Sequence, residues 1–147
     1  MIFQYTWPQV VTRRKTATRR VIGTNERPIR GRYNRILSVE HNGRVKWRVG
    51  ATYAVQPGRG RKQIARIRLT RITRQKLTRI STAEARAEGF ANRAEFLRTW
   101  QQIHGARSLD QRVWVLEFEL METLPALQSL QWPEALQRSR ERAAASV

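Results

Sequence analysis

The sequence predicts an α+β fold in which strands supply most of the structure. Segments of period two recur at ILSVEHNGRVKWRV, TYAV, IARIRLTRI and VWVLEFEL, and helical spacing is confined to short stretches around them. Forty per cent of the 147 residues are apolar and five are Trp, which suffices for one packed domain and leaves no room for a second. Cysteine is absent, so neither disulfides nor Cys-ligated zinc organise the fold.

Pro8 fits the first turn of a helix, where its missing N–H costs nothing, and a short helix is expected over Pro8 to Arg14, followed by KTATRR. In ILSVEHNGRVKWRV the side-chain period decides the hairpin loop. A two-residue loop at Asn42-Gly43 would set Val39 against Lys46 and Leu37 against Arg48. A three-residue loop, His41-Asn42-Gly43 with Gly43 left-handed, pairs Val39 with Val45, Leu37 with Trp47 and Glu40 with Arg44, and this register is the expected one. TYAV reads as a strand that leads into a basic Pro-Gly-Arg-Gly-Arg loop. In IARIRLTRI, Ile67 and Leu69 share one face and Arg66 and Arg68 the other; the slip of phase at Thr70 to Ile72 marks a bulge or the strand's end.

Ser81 and Glu84 spell a capping box for a short helix that Gly89 closes. Asn92 and Glu95 open another, with Phe96, Trp100 and Ile103 on its core face and Gly105 as terminator. VWVLEFEL turns Trp114, Leu116, Phe118 and Leu120 inward and Glu117 and Glu119 outward. Beyond Met121 the chain is punctuated by Pro125 and Pro133, and residues 133–145 are expected to form a terminal helix supported by Glu134 and Arg138.

Charge is distributed unevenly. Residues 1–80 hold 21 of the 29 Lys and Arg and two acids, a net +19, whereas residues 81–147 hold eight basic and nine acidic residues, a net −1. Such a single-sign field attracts polyanions and makes their binding salt-dependent. Twenty-five of the basic residues are Arg, whose planar fork suits phosphate and base edges. RNA or a modified nucleoside is therefore the expected partner. Arg59, Arg61 and Lys62 in the loop and Arg66 and Arg68 on the adjoining strand are the candidate phosphate contacts, and Trp7 and Tyr53 are candidates for stacking a base. The N-terminus lacks the apolar run of a signal peptide and no stretch of 18 apolar residues occurs, so a cytoplasmic location and no membrane partner are expected. His41 and His104 have no carboxylate cluster spaced to join them, so neither a metal nor any other cofactor is expected.

Several phrases resemble the ASCH domain family of the PUA-like superfamily. They are TWPQVVTRRKTATRR, VGATYAVQPGRG, ISTAEARAEGF and VWVLEFEL, and together they span about residues 3–120. The K-T-x-T-x-R pattern, here Lys15, Thr16, Thr18 and Arg20, is the most specific, followed by EGF at Glu88 to Phe90. The resemblance implies a PUA-like β-barrel with flanking short helices over residues 1–121, a partly helical C-terminal extension over 122–147, and an RNA-binding cleft beside the barrel. Compact bacterial relatives are amidohydrolases that remove the acetyl group from 4-acetylcytidine, and another branch is linked to ribonuclease activity. Carried over by motif, the catalytic set is Lys15, Thr18 and Glu88.

The residue chemistry allows such a hydrolase. A Thr hydroxyl attacks only when a base takes its proton, and a Lys can do so only if its pKa is pushed toward neutrality. Arg13, Arg14, Arg19 and Arg20 flank Lys15 and favour its neutral form; the same four arginines are candidate nucleic-acid contacts. Lys15 and Thr18 fall on opposite faces of one straight strand, so sharing a site requires Lys15 in the preceding turn and Thr18 just inside the strand. Glu88 then serves as proton donor or acceptor at the leaving amine, or holds Lys15 by an ion pair. The plain structural alternative is a Lys-Glu pair closing the barrel, with Thr18 there only to favour a strand. Binding without turnover, amide hydrolysis and RNA cleavage all remain open at this point.

Overall fold

Two strands of twelve residues, β6 (Ala65–Lys76) and β7 (Arg112–Thr123), pair antiparallel along their length at the centre of the computed structural model, which describes residues 1–133. Around them lie α1 (Trp7–Val11), β1 (Ala17–Val21), β2 (Glu26–Arg30), β3 (Ile36–His41), β4 (Arg44–Arg48), β5 (Thr52–Val55), α2 (Thr82–Ala87) and α3 (Arg93–His104). One sheet has the order β1-β7-β6-β5 and the other β2-β3-β4, every pairing within them being antiparallel. The result is a mixed α+β molecule with a curled antiparallel half-barrel and few short helices. Among the described residues no helix is long and apolar enough to cross a membrane.

The curl has a local cause. The register shifts twice: between Arg66 and Ile67, where Met121 of β7 is the extra residue, and between Leu69 and Arg71, where Thr70 bulges and the hydrophobic phase of β6 slips. Ile67, Leu69 and Ile72 thereby all reach the main core, although their spacing changes from two to three. The strand does not end at the slip but continues to Lys76.

β7 is buried on both faces over its first half. Trp114, Leu116 and Phe118 join the main core with Val39, Trp47 and the β6 residues. Val113 and Val115 face a second core with Leu77, Ile80, Ala85, Phe96 and Trp100 beneath α2 and α3. Leu120 is only half-buried, and Glu119 is exposed.

Local signals set the helices. Ser81 Oγ accepts from the Glu84 amide at 3.0 Å while Glu84 Oε1 accepts from the Ser81 amide at 3.1 Å, completing the capping box of α2. Asn92 caps α3, accepting from the Glu95 amide at 2.9 Å, and Gly105 follows at φ 94°. Phe96 and Trp100 are buried as their spacing predicts, but Ile103 is 53% exposed because it lies past the packed face. The first helix is shorter than the span to Arg14: the Thr12 hydroxyl donates to the Pro8 carbonyl at 2.8 Å, and Arg13 turns left-handed at φ 63°.

The hairpin register differs from the expected one. The loop has two residues, Asn42 at φ 52° and Gly43 at φ 78°, with His41 opposite Arg44. A bulge opposite Val39 and Glu40, in which Lys46 is the extra residue, then sets Val39 against Trp47, so the apolar pairing is recovered by an irregularity inside β4 rather than by a longer loop. β7 runs past Met121 to Thr123, and a 3₁₀ turn at Pro125–Ser129 buries Leu127. Trp132 packs edge-on against Trp7, ring centroids 5.0 Å apart. Residues 124–132 thus contribute to the main core, and the helix expected over 133–145 lies, from residue 134 on, outside the described residues.

Candidate functional site

The turn between α1 and β1 carries the first site residue. The Gln9 carbonyl accepts from the amides of both Arg14 and Lys15 at 2.9 Å, which places Lys15 just before the strand and Thr18 inside it. The Thr16 amide donates to the Ala87 carbonyl at 2.7 Å, tying the start of β1 to the end of α2. Glu88 is the C-cap of α2, and Gly89 follows at φ 95°. A Cβ on Gly89 would stand 3.2 Å from Gln9 Cβ and 3.5 Å from Lys15 Cβ, so glycine here permits the close approach of the two segments.

An ion cluster follows from that approach. Lys15 Nζ donates to the Glu88 carbonyl at 2.8 Å and to Glu88 Oε1 at 3.0 Å, with both side chains 3% exposed. Arg19 Nη1 donates to Glu88 Oε2 at 3.0 Å, and its Nη2 donates to Glu84 Oε2 at 2.7 Å and to Gln75 Oε1 at 2.8 Å. Burial pushes the Lys15 amine below the usual lysine value; Glu88 opposes this, while Arg20 and Arg19 reinforce it. Desolvation, not the run of neighbouring arginines, is therefore the main cause. Arg13 and Arg14 are exposed and do not enter the balance.

These residues border a cleft of about 620 Å³ whose lining includes Lys15, Thr18, Arg19, Arg20 and Glu88 together with Phe3, Phe90, Phe96, Trp100 and His104. The three residues implied by the family motif thus share one hollow. The Thr18 hydroxyl makes no hydrogen bond among the described residues. Trp100 Nε1 and Arg20 Nε are buried donors without a partner among the described residues. Arg20 is steadied by the Ile2 carbonyl at 2.9 Å and lies over the Phe3 ring, 5.2 Å from its centroid. His104 stacks on Trp100 at 4.2 Å, and desolvation followed by the charge of Arg20 pushes its imidazole below the usual range.

The fold has a solved counterpart. Protein EF3133 from Enterococcus faecalis V583, of family DUF984, superposes with a TM-score of 0.52 over 80% of this chain and 70% of its own, at 20% sequence identity. At that identity the likeness shows the fold alone. No family model matches the sequence, and no curated protein matches it.

The remaining expected contacts lie elsewhere. Arg59, Arg61 and Lys62 are exposed in the loop before β6, and Arg68 is exposed on the strand opposite Glu119. Arg66 donates to Gln63 Oε1 at 3.3 Å and to Thr52 Oγ1 at 3.1 Å. The Tyr53 hydroxyl accepts from the Arg48 amide at 2.8 Å, and Trp7 is buried against Trp132 rather than free to stack. None of these lines the cleft, nor do Arg13 and Arg14. The aromatic wall of Phe3, Phe90, Phe96 and Trp100 is what sequence reasoning missed. Its signals were the EGF phrase and the Phe96–Trp100 spacing, which read equally well as core.

Proposed function

We propose that this is an ASCH-type domain whose cleft takes a single acylated nucleoside, free or within RNA, and hydrolyses its amide without a metal. The fold likeness to a DUF984 protein, a family of ASCH and PUA-like type, supports the assignment together with the K-T-x-T-x-R and EGF phrases. The observation that carries the activity is Lys15: an amine 3% exposed, depressed by burial, in the same cleft as Thr18 and Glu88.

The cluster holds two buried cations against Glu88, and an arginine does not release its proton. The proton most easily lost is therefore that of Lys15. Neutral Lys15 takes the Thr18 proton as the Thr18 oxygen attacks the acetyl carbonyl carbon. The bond from that carbon to the exocyclic nitrogen then breaks, and the proton passes from Lys15 to the leaving amine. Water hydrolyses the acetyl-threonine ester to acetate. Glu88 orients Lys15 throughout, and aromatic walls suit a flat base.

Incubation with 4-acetylcytidine and a mass readout tests this. Cytidine should appear, and Lys15→Ala or Thr18→Ala should lower turnover by about 10²-fold or more. Absence of product with the unmodified chain, or turnover that survives Lys15→Ala, overturns the roles. A second reading, binding of a modified nucleoside without turnover, is favoured by the two hydrogen bonds from Lys15 to Glu88, which complete the pair without a substrate. Saturable binding of 4-acetylcytidine with no product identifies it.

A further inference from the structure

A groove of about 820 Å³ that shares no lining residue with the cleft is bordered by Arg30, Arg35, Arg71, Arg74 and Arg112. No acidic side chain lines it among the described residues. All five arginines are exposed. Of the five, Arg71 alone has a carboxylate within ion-pair reach among the described residues, Glu117 at 3.8 Å, with both side chains largely solvated, so that pair adds little. Five like charges around one hollow repel one another, and a ligand bearing spaced negative charges relieves that repulsion.

Tyr33 stands on the rim, 83% exposed. Tyr33 and Asn34 are both left-handed, at φ 58° and 59°, a conformation that costs non-glycine residues energy and here keeps an aromatic ring out of the core. Arg32 lies 5.8 Å from its centroid. An exposed ring beside a row of guanidinium groups is the arrangement that stacks a base while neutralising phosphates. A bilayer surface is flat, whereas these charges border a hollow, a shape that suits a strand better. A smaller hollow of about 280 Å³ shares Arg71 and Thr73 with the groove and Arg19 with the cleft, but Glu84 and Glu117 also line it, so the positive charge is concentrated in the groove itself.

We infer that the groove of Arg30, Arg35, Arg71, Arg74 and Arg112, with Tyr33 as stacking platform, is a binding site for single-stranded nucleic acid. It does not depend on chemistry in the cleft.

The test uses fluorescence anisotropy of a short labelled single-stranded RNA, its DNA equivalent, and anionic phospholipid vesicles as a separate arm, with the full chain. Arg35→Gln with Arg112→Gln should weaken strand binding about tenfold or more and reduce the salt slope by about 1.4, the share of two phosphates. Tyr33→Ala should weaken it about fivefold or more, nearly independently of salt. Arg59→Gln with Arg61→Gln removes the same charge from the exposed loop and should have a smaller effect. Circular dichroism verifies folding, and unchanged turnover of free 4-acetylcytidine by the groove variants separates this site from the cleft. Equal losses from the loop and groove variants, no loss from either, or vesicle binding with the same dependence on Arg35 and Arg112 would overturn the inference. A preference for RNA or for DNA identifies the natural strand, and both outcomes support the site.

Discussion

Glu88 is shared by two buried cations, so its removal is not equivalent to removing either of them. Glu88→Gln leaves Lys15 and Arg19 facing each other and should cost about 3–5 kcal/mol in urea unfolding. Lys15→Met leaves Glu88 paired with Arg19 and should cost much less while abolishing turnover. The depressed Lys15 pKa also sets a pH dependence. Below the folded-state value both states carry the proton and the cost of burying the charge is fully present. Between that value and the ordinary 10.5 the unfolded chain binds more protons, so stability rises with pH across this window. Unfolding measured at a series of pH values should show this rise in the native chain and a flatter profile in Lys15→Met. Lys15, Thr18 and Glu88 were legible because a phrase of motif carries them. The burial that depresses Lys15 was not, since it depends on a Gly89 contact 74 positions away in the chain.

The capping box and the glycine at the two ends of α2 do different work, and substitutions there should separate. Ser81→Ala removes an N-cap and should cost about 1 kcal/mol with turnover nearly intact. Gly89→Ala places a Cβ at a left-handed position against Gln9; it should cost about 1–3 kcal/mol and depress turnover further, because Lys15 is anchored through the same Gln9 carbonyl. Thermal unfolding and the cytidine assay on both variants check this. At this scale the caps at Ser81 and Asn92 and the bulge near Thr70 were legible, since each is fixed by residues a few positions apart. The hairpin was not. Counting by twos assumes an unbroken period, and the bulge opposite Val39 and Glu40 adds one residue, Lys46, inside β4, which makes the two-residue Asn42-Gly43 loop compatible with the core. Val113 and Val115 were overlooked for a related reason: alternation assigns one inner face to a strand, and β7 has two.

At the scale of the molecule, the main core extends beyond the last strand. Trp132 is 3% exposed, and Trp132→Ala should destabilise the protein by about 3–5 kcal/mol, with a chain cut after Thr123 at least as unstable in denaturant. The change of character after Met121 did not reveal this, because Leu127 and Trp132 are isolated apolar residues without periodicity. The +19 excess of residues 1–80 was legible, but the place where it gathers was not. Arginines separated by as many as 82 positions, Arg30 and Arg112, meet in the groove only after β2, β3, β6 and β7 have assembled. The pairing of Ala17 with Glu117 has a comparable reach. During synthesis β1 has no sheet neighbour until the ribosome has passed residue 117, and loop closure over a hundred residues is slow. The lysine-bearing turn is among the earliest parts made and among the last to acquire its setting, so a nascent or prematurely terminated product carries the motif without a working pocket.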